Sequence, residues 1–268
     1  MTSLLIAAAV VASQSVFVEA ARAGTARYAD QSVAIADGYR RIGRDFPAMG
    51  EHWIRISLVF DGKVDPSRPE VLNYGVIDGT PRLLGVGYAV PLLKGEIAPA
   101  GPAGRAAWHD HFRTIEDETV VPHHHHGGQP GSGPRLAMLH AWIWTPNSHG
   151  MFAADNWTLP YLRLGFVPHE TAPSSVARAL ALASGGRAYF EMAVDTALEG
   201  VAVDRKLIAS AFDRAQVAVE GALRERRART LTDATAGKLA GIWTEMWAAI
   251  DAAAGSEAIH RVMHLPVR

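Results

Sequence analysis

The hydrophobic period of this chain changes twice along its length, and few folds accommodate such a change. From about Val16 to Tyr39 the apolar residues, Phe17, Ala20, Ala21, Tyr28, Val33 and Ala36 among them, recur at helical spacing. Gly38 and the stretch 43–50 then interrupt the pattern. From His52 to about Leu164 the period is two, as in strands, and after Pro168 it is helical to the end of the chain. Helices and strands segregated in this way predict an α+β fold. The expected parts are an N-terminal helix, a curved antiparallel sheet of about five strands, and a C-terminal helical region. Residues 24–168 are read as the α+β domain and residues 169–268 as the helical region packed on it.

Particular segments sharpen this outline. Residues 52–60 alternate, which predicts one strand with His52, Ile54, Ile56, Leu58 and Phe60 on a common face. Residues 71–76 and 82–90 flank Asp78-Gly79, a two-residue hairpin signal because both turn positions need positive φ. Residues 136–144 are apolar on both faces, as in a covered central strand, while the Gly/Pro-rich stretches 95–104 and 127–134 read as surface loops. In the helical region, Ser174 or Ser175 caps one helix and Asp204 a second, which carries Leu207, Ile208, Ala211, Ala215, Val219 and Leu223. Thr232 or Asp233 caps a third helix, which contains Trp243 and Trp247.

Composition removes several function classes. A net charge of −1 over 268 residues argues against nucleic acid or an anionic membrane as a partner engaged through bulk charge. With no cysteine, disulfides, thiolate-ligated zinc, iron–sulfur clusters and thiol catalysis are all excluded. No Walker A sequence is present, and Gly85-Val86-Gly87 lacks the third glycine of a dinucleotide fingerprint. Ser132 lies in Gly131-Ser132-Gly133, without the outer glycines of a nucleophile elbow. His169-Glu170 lacks the second histidine of a zinc-protease helix, and Glu257-x-x-His260 has no second copy to complete a di-iron bundle. His260 and His264 share a helix face near the C-terminus, where imidazoles commonly meet the helix dipole. Residues 4–12 form an apolar run too short to span a bilayer, and Ala21-Arg22-Ala23 has the small-x-small spacing of a signal-peptidase site without a basic segment ahead of the run. Residues 1–23 are therefore either a signal peptide of a secreted or periplasmic protein or an N-terminal helix of a cytoplasmic one.

Twelve histidines carry the remaining signal. In Trp108-His109-Asp110-His111-Phe112 an extended backbone puts His109 and His111 on one side, so the two can share a metal ion. Glu116 follows at nearly the spacing of the first cupin motif, but no second cupin motif follows Pro134. His140 shares its strand face with Leu136, Met138, Trp142 and Trp144, and His52 shares its own with apolar residues. A buried imidazole needs a hydrogen bond or a metal, because leaving it unpaired costs roughly 1–3 kcal/mol. His123 to His126 precede a Gly-rich loop and read as a solvated tract that binds metal loosely.

Gly50-Glu51-His52-Trp53, residues 65–72, residues 84–91, residues 139–147 and Gly150-Met151-Phe152 stand in an order that resembles a group of uncharacterised, often secreted bacterial proteins. That group has a Gly-x-His-aromatic segment, a Gly-Val-Glu-Tyr strand and a Leu-His-x-Trp-x-Trp segment, and the similarity covers about residues 26–156. The group has no established activity, so the resemblance implies positions and not a reaction. Where its strand carries glutamate, this chain has Gly87. If the group uses two histidines and that glutamate as a facial set, the carboxylate is missing here, and His109 and His111 are the candidate replacements.

The leading expectation is a mononuclear site for zinc, copper or iron formed by His52, His140 and one or both of His109 and His111. Glu51, Asp110 and Glu116 are the carboxylates that would fix the imidazole tautomers. Such a site suits metal-dependent hydrolysis or oxidation of a small molecule. The alternatives are a non-catalytic small-molecule or haem-binding pocket lined by Trp53, Trp108, Trp142 and Trp144, or histidines that only pack.

Overall fold

The computed structural model describes residues 2–111, 135–169, 171–224, 228–263, 265 and 268. With 47% helix and 18% strand the fold is α+β, and it divides into two compact units. The first draws on the chain up to Asn156, and the second contains residues 157–268 with the short segment 46–48.

In the first unit the order is α1 (Thr2–Thr25), a 3-10 turn (Ala26–Ala29), α2 (Gln31–Ala36), β1 (Arg40–Phe46), β2 (Gly50–Ile54) and α3 (Ile56–Val59). Then come β3 (Val71–Ile77), β4 (Thr80–Leu92), a second 3-10 turn (Arg105–Ala107), β5 (His109–His111) and β6 (Arg135–Ala141). The strands form one curled antiparallel half-barrel in the order β1-β2-β3-β4-β6-β5. Asp78 and Gly79 both take positive φ, 51° and 73°, and join β3 to β4 as the dipeptide predicts.

One face of the sheet carries Leu72, Tyr74, Val86, Tyr88, Ala137 and Leu139, packed with Trp108 and with Phe17, Val18 and Ala21 of α1. Three phenol hydroxyls on this side are satisfied by carbonyls: Tyr39 by Pro69 at 2.6 Å, Tyr74 by Tyr28 at 2.6 Å and Tyr88 by Pro66 at 2.8 Å. The opposite face holds Ile54, Val71, Ala89 and Met138, with Val59 of α3 against them.

The strand expected over residues 52–60 stops at Ile54. Its partner β3 begins at Val71, opposite Ile54, so nothing remains for later residues to pair with. The Arg55 amide still bonds the Glu70 carbonyl at 2.9 Å, and the chain then coils into α3. Leu58 and Val59 are buried there, whereas Ile56 and Phe60 are 51% and 70% exposed, which corrects the common face proposed for them. Likewise β6 ends at Ala141, and the Trp142 amide turns to the Met151 carbonyl at 2.8 Å.

The second unit comprises α4 (Leu159–Arg163), α5 (Ser174–Ala183), α6 (Arg187–Ala197), α7 (Arg205–Arg224) and α8 (Asp233–Met263). Its core joins Val176 and Leu180 of α5, Phe190 of α6, Ile208, Phe212 and Val219 of α7, and Trp243, Trp247 and Ile250 of α8. Asp204 caps α7 by accepting from the Lys206 and Leu207 amides at 2.9 and 3.3 Å, and Thr232 caps α8 by accepting from Thr235 at 3.2 Å. Ser174 does not cap α5: its hydroxyl accepts from Arg178 at 2.7 Å, and Pro173 stands at the cap position. The α6 helix went unread in the sequence because Gly185 and Gly186 sit at its start. Among the described residues no helix is long and apolar enough to cross a membrane.

Candidate functional site

Strand parity puts His52, Asn73, Gly85, Gly87, His140 and His109 on the face that also carries Val71 and Met138. His52 stands opposite Asn73, Asn73 opposite Gly85, Gly87 opposite His140, and His109 opposite Met138. The β2 and β6 strands are separated by β3 and β4, so their backbones would lie about 14 Å apart in a flat sheet. Curling closes that gap, and the Nε2 atoms of His52 and His140 are 3.3 Å apart. Their rings are nearly parallel, 23° between planes, with centroids 5.3 Å apart. The ring of His109 lies 5.0 Å from that of His140 at 57°. All three side chains are buried, at 1%, 4% and 1% exposure for His52, His109 and His140.

Two glycines of β4 make room for this. A Cβ on Gly87 would lie 3.3 Å from Cδ2 of His140 and 3.1 Å from Cβ of Val71. A Cβ on Gly85 would lie 3.1 Å from the Trp142 ring and 2.8 Å from the Ala141 carbonyl. The imidazole and the indole therefore lie across a strip of bare backbone. The Gly-x-Gly spacing that fails as a nucleotide fingerprint supplies that strip.

The tautomer of His140 follows from its partner. A carbonyl oxygen only accepts, so Nδ1 carries a proton and donates it to Ala154 at 2.7 Å. In the neutral ring Nε2 is then a bare lone pair, and it is the atom that faces His52. The Trp142 indole donates to the neighbouring carbonyl of Ala153 at 2.8 Å, so one loop orients both rings.

Two of the carboxylates expected to perform this service do not. Glu51 accepts from the Trp53 indole at 3.1 Å and pairs with Arg41 at 2.9 Å. Asp110 points to the other face, where it is fully buried against Arg135, with Nε to Oδ2 at 3.0 Å. Glu116 lies outside the described residues, as do Ser132 and the tract His123 to His126. The backbone of His111 lies in β5 opposite Leu136, and its side chain is outside the described residues. His260 is exposed on α8, and His264 also falls outside.

Of the four tryptophans read as one pocket, only Trp142 touches the cluster, with its ring 5.4 Å from His140. Trp53 packs on Tyr74, and Trp108 is buried in the core on the opposite face. Trp144 has left the strand, and its indole donates to Thr25 at 3.2 Å. These three do not line a common wall with the histidines.

Two residues escaped the sequence reading. Asn73 is fully buried beside His52. Glu70, just before β3, accepts the Ala89 amide through Oε2 at 3.1 Å, and burial pushes its carboxyl up to about 8. Among the described residues no group of three or more His, Asp or Glu side chains forms a ready-made metal cage. No protein-family model, curated protein or solved structure matches the chain.

Proposed function

We propose that this sheet face binds one divalent transition metal ion, zinc, copper or iron, between Nε2 of His52 and Nε2 of His140, and uses it on a small molecule. His109, whose ring lies 5.0 Å from that of His140, is the candidate third ligand and would have to re-aim its imidazole to reach the ion. The observation that carries the reading is the 3.3 Å between the two nitrogens, one of them a lone pair by virtue of the Ala154 carbonyl. Two nitrogens bound about 2.05 Å from a tetrahedral ion stand about 3.3 Å apart. Without an ion the contact is a hydrogen bond in which Nε2–H of His52 donates to that lone pair. The oriented Nδ1 proton is the usual outer partner of a metal-bound imidazole. Three neutral imidazoles leave the charge of the ion uncompensated and one position open, which suits a metal-dependent hydrolase or oxidoreductase.

Elemental analysis of protein purified without nickel resin should find about one metal ion per chain, lost in His52→Ala and in His140→Ala and retained when His123 to His126 are replaced. Metal-free protein whose melting temperature is unmoved by chelator and by added zinc would refute the reading, and so would full metal content in both variants.

A further inference from the structure

We infer that Asn73 presents a hydrogen-bond acceptor to whatever occupies the open coordination position, and that the site thereby selects a protic ligand, such as water or an alcohol, over a bare anion. This rests on the metal reading above and adds the class of ligand.

The orientation of the amide follows from its surroundings. Nδ2 of Asn73 donates to the Met49 carbonyl at 3.3 Å, and that carbonyl can accept only from the NH2 end. Oδ1 therefore points the other way, and among the described residues it takes no hydrogen bond although the side chain is fully buried. A buried amide oxygen left alone keeps the full cost of its lost hydration, so its retention calls for a donor that binds there.

The register places Asn73 beside His52. Asn73 is the direct cross-strand neighbour of His52, and directly opposed residues of an antiparallel pair have Cβ atoms about 4.5–5.5 Å apart. On its other side stands Gly85, which adds no side chain and is covered by the Trp142 indole. Between Asn73 and Tyr74 the register slips, leaving Leu84 as an extra residue on β4. Bulges of this kind re-aim the neighbouring side chains. The indole of Trp142 has spent its one donor on Ala153, so it cannot satisfy Oδ1. The ligand has to bring its own proton, and a lone pair fixed at that point repels an anion without one.

Cobalt(II) serves as the spectroscopic probe and azide as the bare anion. In the wild-type chain loaded with Co2+, visible d–d bands should report the His-bound ion and change little on azide titration. Asn73→Leu, close in volume and without the acceptor, should bind Co2+ within about threefold of wild type and azide about tenfold more tightly. Asn73→Asp keeps an acceptor and adds charge, so it should hold Co2+ more tightly and exclude azide. It also supplies the test should the leucine variant fail to fold. Cobalt spectra with azide affinity equal in all three chains would overturn the inference while leaving the metal reading intact. A wild-type chain that takes up no cobalt would overturn both.

Discussion

Gly87 lies beneath the imidazole of His140, where an added side-chain carbon would be held closer than an ordinary contact. Ring and backbone approach so closely that even one carbon added there meets His140 and Val71 at 3.3 and 3.1 Å. Gly87→Ala should therefore lower stability by about 1–3 kcal/mol, through displacement of the ring, and urea unfolding measures it. Gly87→Glu, which restores the carboxylate that the resemblance leads one to expect, should reduce metal uptake instead of adding a ligand. Unchanged stability in the alanine variant would mean that His140 is loosely held. At this scale the histidines were readable from alternation, because each lies on a strand whose parity is explicit. The tryptophan pocket was misread by the same rule: Trp53 is adjacent to His52 and Trp108 to His109, and adjacent strand residues point to opposite faces. The roles of Ala154 and Asn73 were not readable, since a carbonyl has no residue identity and one buried amide has no spacing.

Among the elements, β5 is the one whose attachment matters most to the cluster. It has three residues, stands at the edge of the sheet, and carries His109. Asp110 ties it to β6 through Arg135, whose guanidinium also reaches the Leu93 and Glu96 carbonyls at 3.4 and 2.5 Å. Removing one partner strands a buried charge, so Asp110→Ala should cost about 3–5 kcal/mol in denaturant unfolding and weaken metal binding through His109. If stability fell but metal affinity held, His109 would not be a ligand. The hairpin at Asp78-Gly79 and the capped helices α7 and α8 could be read because their signals are local. Residues 55–60 alternate as cleanly as any strand, yet they coil, because a strand also needs a neighbour and β3 does not extend that far.

For the molecule as a whole, Glu70 sets a pH dependence of stability. Its folded carboxyl titrates near 8 instead of the usual 4.5, chiefly because burial disfavours the charge, and Asp61 and Asp65 add to the rise. The nearby phenols of Tyr39 and Tyr88 are also held above their ordinary range by burial and stay neutral. Below pH 4.5 Glu70 is protonated folded or unfolded, and its contribution is fully present. As pH rises toward 8 the unfolded chain releases the proton first, so stability falls across that window. Relative to Glu70→Gln, the wild type should lose on the order of 3 kcal/mol between pH 5 and 9, and parallel unfolding profiles would disprove this. The closure of β2 against β6 has a consequence in time. His52 and His140 are 88 residues apart, so a chain emerging from the ribosome exposes the first long before the second has been made. Every intervening strand must be in register before the two rings can meet, and a truncated or half-assembled chain lacks the pair altogether. With that separation the contact carries more loop-closure entropy than the hairpins around it, and a signal tied to it would separate finished molecules from unfinished ones.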